Sequence, residues 1–162
     1  MFKFLILIAV IACTIHANVS DKDLKRMISK LERSISRLER TGKIMKAKLK
    51  NFTDKLLEHT EEDNGETGKK CFLDLWKSLE ETLNLKIDES IGGYTRSSRS
   101  LINNLKNGLF DKEELERTKH MLSKDGSYFG QIENSLQYLK RSIKKDLINF
   151  EKTVHDKCCQ HD

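Results

Sequence analysis

The chain has no proline. Ordinary usage of about 5% would give roughly eight in a chain of this length. Glycine is scarce, at 8 of 162 residues, and aromatics make up only 7%. These shortages exclude collagen-like, proline-rich and multi-turn all-β designs. Chemical motifs are missing too. Gly92-Gly93 is followed by no Lys-Ser/Thr of a phosphate loop, and no HExxH or GxSxG occurs. The acidic run Glu61-Glu62-Asp63 lacks the spaced oxygens and distal Glu of a calcium loop. The sequence therefore predicts a non-enzymatic chain without a cofactor.

What is present starts with the N-terminus. Lys3 precedes the unbroken apolar run from Phe4 to Cys13, and Ala17 closes the stretch Ile-His-Ala. A basic start, a short apolar run and a small final residue describe a secretory signal peptide. The run is about half the roughly 20 residues that span a bilayer. Residues 1–17 are thus expected to be removed, leaving 18–162 as a single secreted helical domain. Removal lowers the net charge from +5 to +4, because it takes one lysine and no acid. No later segment has a long uncharged apolar run, so no transmembrane segment is expected.

Helical periodicity dominates the rest. Leu24, Ile28, Leu31, Ile35, Leu38, Gly42, Met45, Leu49, Phe52 and Leu56 alternate steps of four and three. That is a heptad seam. Ser20 is placed as its N-cap, with Asp21 and Asp23 in the first turn. The polar stretch Glu58–Gly68 reads as a loop. Phe72, Trp76, Leu79, Leu83, Ile87 and Ile91 form a second stripe, ended or hinged at Gly92-Gly93. Tyr94, Leu101, Ile102, Leu105 and Leu109 continue more weakly to Gly108. Asp111 and Glu114 have the spacing of a capping box, ahead of Leu115, Met121 and Leu122. Beyond the turn at Asp125-Gly126, a last stripe runs from Phe129 through Ile132, Leu136, Leu139, Ile143, Leu147, Phe150 and Val154 to Cys158. The predicted fold is all-α. It is an antiparallel bundle of four to five helices with long first and last helices and coiled-coil-like packing.

Four cysteines are encoded, and Cys13 leaves with the signal peptide. Cys71, Cys158 and Cys159 remain, an odd number for an oxidising compartment. One bridge is expected from Cys71 to either Cys158 or Cys159. The third thiol then offers a disulfide-linked homodimer. His155, Cys158, Cys159 and His161 crowd the tail, but their spacing is not that of a structural zinc site, and no metal is expected. Two sequons occur, at Asn51 and at Asn18. Asn51 is the better candidate for glycosylation. Trp76 and Tyr94 are expected to pack rather than to stack on a ligand.

Charge is uneven. Residues 20–58 hold twelve Lys/Arg against six Asp/Glu. Such a basic helix suits an anionic surface, or else packs against the acidic remainder of the chain. Nucleic acid is not expected, because the basic stretch has no interleaved aromatics. In general style the chain resembles small helical proteins secreted by arthropod salivary or venom glands, without sharing a motif with any of them. The expected function is a secreted helical binding protein acting extracellularly on a protein or small ligand. The alternatives are an apolipoprotein-like lipid carrier and a disulfide-linked structural or oligomerising protein. The narrow apolar stripes argue against the lipid carrier.

Overall fold

The computed structural model describes residues 20–159. The proposed signal peptide, Asn18 and His161 lie outside them. The described residues form three α-helices and no strand: α1 (Asp21–Lys106), α2 (Lys112–Met121) and α3 (Ser127–Cys158). None is long and apolar enough to cross a membrane.

The all-α expectation holds, but the expected four to five helices are three. Two predicted breaks account for the difference. Gly92-Gly93 lies inside α1 and neither stops nor hinges it. A helical glycine costs only about 1 kcal/mol relative to Ala. Buried Ile91, Thr95 and Ser98 on either side anchor that stretch. The expected loop at 58–68 is also helical, apart from one residue. Gly65 has φ 60° and ψ −150°, a conformation essentially confined to glycine. It divides α1 into two arms, 21–64 and 66–106. Gly68 completes the turn from the far side. A β-carbon there would lie 2.6 Å from Asn64 Cβ and 2.9 Å from the Thr60 carbonyl oxygen. The close approach of the two arms therefore requires a residue without a side chain.

The remaining boundaries follow local chemistry. The Ser20 side chain accepts a hydrogen bond from the Asp23 amide. Asp111 and Glu114 form the predicted capping box, each side chain accepting from the other's backbone N–H. The backbone turns out of α1 at Asn107 and Gly108, with the Leu109 amide donating to the Asn104 carbonyl.

Two compact units divide the described residues. Among the described residues the first comprises 20–36 and 95–132, the second 37–94 and 133–159. In the first, Met27, Leu31, Ile102, Leu105 and Leu122 are buried. Tyr128 and Ser98 share a buried hydroxyl hydrogen bond of 2.8 Å. Lys30 Nζ donates to the Leu122 carbonyl at 3.0 Å, tying the chain after α2 to the first arm of α1. Lys119 pairs with Asp23 at 3.1 Å. The hydrogen bond and charge of that carboxylate hold the ammonium above the usual lysine range.

In the second unit the two arms of α1 run antiparallel. Lys46 pairs with Asp88 at 2.7 Å, and buried Gly42 faces Ile91 and Ile87. α3 runs antiparallel to the second arm, as the Tyr94–Ser135, Lys86–Asp146 and Cys71–Cys158 pairs show. The core contains Leu38, Met45, Leu49, Leu83, Ile87 and Ile143. At one end it becomes aromatic. Phe150 makes edge contacts to Phe72 at 5.5 Å and to Trp76 at 5.2 Å between ring centroids.

Candidate functional site

The Cys71–Cys158 bridge lies one residue from that aromatic cluster in sequence. Its Cα atoms are 5.6 Å apart, and it closes 87 residues of chain separation. Steps of four along the α3 stripe carry Val154 to Cys158, so the buried stripe itself delivers the half-cystine. Cys71, the residue before Phe72, meets it from the second arm. Of the two pairings open from the sequence, the structure forms the one with Cys158. Cys159 is a free, half-buried thiol next to it. With Cys158 in the bridge, the crowded tail loses one of its soft ligands. No group of three or more His, Cys, Asp or Glu side chains gathers for a metal among the described residues.

A groove of about 690 Å³ opens between the second arm and α3 within the second unit. Lys86, Glu89, Tyr94, Asn134, Ser135 and Tyr138 line it. The Tyr94 and Ser135 hydroxyls share a 2.6 Å hydrogen bond across it, and Lys86 is held by Asp146 at 2.6 Å. Tyr138 is 76% exposed. The groove thus offers hydroxyl, amide and aromatic surfaces to a small ligand. It has no nucleophile paired with a base. Sequence reasoning did not find it, because most of its lining is polar and lies between stripes, while Tyr94 and Leu139 read as packing positions. The one available clue was Tyr138, an aromatic off the apolar stripe.

Other predicted residues fall as follows. Trp76 is buried. Tyr94 is half-buried and packs at the groove. Asn51 is exposed on the first arm. Basic residues of that arm divide into two sets. Arg37 and Lys46 are taken up by Glu133 and Asp88. Arg40, Lys43, Lys48 and Lys50 are exposed, with no ion pair among the described residues. Packing against the acidic part of the chain therefore accounts for only some of the excess charge.

Comparison with known protein families, with curated proteins and with solved structures gives no match. The functional reading rests on the residues themselves.

Proposed function

We propose that the chain is a secreted, non-enzymatic binding protein that acts outside the cell on a protein or small ligand. The observation that supports this most is the Cys71–Cys158 disulfide. Such bonds persist in oxidising compartments, and the N-terminal sequence has the form of a secretory signal. The groove of the second unit provides a surface for a small ligand, and the exposed cations provide one for an acidic partner. Expression of the full chain in a eukaryotic secretory host tests the reading. The expected product is protein in the medium beginning at Asn18, with the bridge intact by mass before and after reduction. Retention in the cytosol with free thiols would overturn it.

A second reading has its own observation. Cys159 is half-buried and unpaired beside the bridge, which favours a disulfide-linked homodimer. A non-reducing gel is expected to show a dimer that disappears on reduction and in Cys159→Ser. A monomer under both conditions removes this reading and leaves the first intact.

A further inference from the structure

We infer that the first arm of α1 and α3 together present a cationic face in the second unit that binds a linear sulfated polysaccharide. The inference starts from a cluster on α3. Lys140, Arg141, Lys144 and Lys145 fall within six residues, all exposed, and none has an ion pair among the described residues. From Gln137 to Lys145 there is no carboxylate, and there is none from Arg40 to Lys50 on the first arm.

The packing joins the two sets. Both helices run antiparallel to the second arm, so they run parallel to each other. The Arg37–Glu133 bridge at 2.9 Å fixes their register at an offset of 96 residues. Ile44 is then level with Lys140, and Lys48 with Lys144. Residues 37, 44 and 48 lie along one edge of their helix, and 133, 140 and 144 along one edge of theirs. Lys48, Lys140 and Lys144 therefore border the same seam that Arg37 and Glu133 bridge. Arg141 and Lys145 extend the face outward on α3. Arg40 extends it on the first arm, whereas Lys43 and Lys50 fall on the other flank, where Lys46 meets Asp88. Ten residues of helix span about 15 Å, so the face is a strip rather than a point.

Charge complementarity selects the occupant. Six cations without paired carboxylates (Arg40, Lys48, Lys140, Arg141, Lys144 and Lys145) cost little to bring against a polyanion and release its counter-ions on contact. A pocket for a single phosphate would need fewer charges, converging. An acidic membrane would attract the same charges, but helices that lie in its interface also turn an apolar face outward. Here the apolar stripes of both helices, including Leu38, Met45, Leu139 and Ile143, are buried. Ile44, Tyr138 and Ile148 are exposed among them but do not form a stripe.

The inference rests on the extracellular reading, because sulfated chains are extracellular. Secretion is read separately from the medium, so the two can fail independently. The test uses the full secreted chain with Asn18→Gln and Asn51→Gln, so that no glycan intervenes, and heparin as the probe. Retention at about 0.15 M salt is expected, with affinity falling as salt rises. Combining Lys48→Gln, Lys140→Gln, Lys144→Gln and Lys145→Gln removes four of the six cations. It is expected to cut the slope of log affinity against log salt by about two-thirds and the affinity at least about tenfold. Replacing Lys22, Lys25, Lys70 and Lys77 by Gln removes equal charge elsewhere and is expected to leave most of the affinity. Equal losses in the two variants would overturn the proposal, as would absence of retention. Tighter binding to phosphatidylserine vesicles than to heparin would overturn it in favour of a membrane surface.

Discussion

At the scale of single residues, glycine has two opposite roles in this chain. Gly65 has a backbone that side chains rarely adopt, with open space around it. Replacing it by Ala is therefore a test of conformation alone. Gly65→Ala is expected to lower unfolding free energy by about 1–3 kcal/mol, read as a shift of the urea midpoint. Gly93 lies in regular helix and is also open on all sides. Gly93→Ala is expected to raise stability by about 0.5–1 kcal/mol in the same assay. The sequence marks both positions with the same letter and places breaks at both regions. Only the φ angle separates them. Asn51 belongs to this scale as well. It is one turn from Lys48 and Lys55 on an exposed surface, at spacings of three and four. A glycan there is expected to weaken heparin retention, and enzymatic deglycosylation to restore it. Unchanged retention would show that the glycan stays clear of the face.

Among the elements, α2 depends most on its ends. It has ten residues, below the length at which helices hold alone in water. Its capping box satisfies backbone donors at its N-terminus. Asp111→Ala is expected to cost about 0.5–2 kcal/mol. Hydrogen exchange should show faster opening of 112–121, while 133–150 of α3 is unaffected. Elements of this kind were well legible in the sequence. Periodicity located the buried stripes, and none of the ten positions from Leu24 to Leu56 is exposed. Local caps at Ser20 and Asp111 were also readable, because each depends on a side chain within three residues. Helix continuity was not readable. Whether Gly92-Gly93 breaks a helix depends on packing by Ile91 and Ser98, whose partners Gly42 and Tyr128 are distant in sequence. The stripe begins at Phe129, yet Tyr128 is the buried residue and Phe129 is half-buried. The Ser98 hydroxyl, 30 residues away, decides which aromatic turns inward. The groove and the cationic face were illegible for the same reason. Each needs two segments whose proximity only folding creates.

For the molecule as a whole, the bridge is the largest single constraint. A closed loop of this length stabilises by about 4–5 kcal/mol in the chain-entropy model. Cys71→Ser is expected to lose most of that, and to show it as a lower thermal midpoint. The bridge also determines what a protease can accomplish. The exposed turn after α1, around Gly108, and the turn before α3, around Gly126, both lie between the joined cysteines. A cut at either leaves the two pieces covalently attached, with unchanged mobility until reductant is added. Gly65 lies before Cys71, so a cut there leaves the first arm held only by its packing. In a protease-rich fluid the groove and the α3 half of the cationic face would survive nicking, while the half contributed by the first arm would be the first part shed.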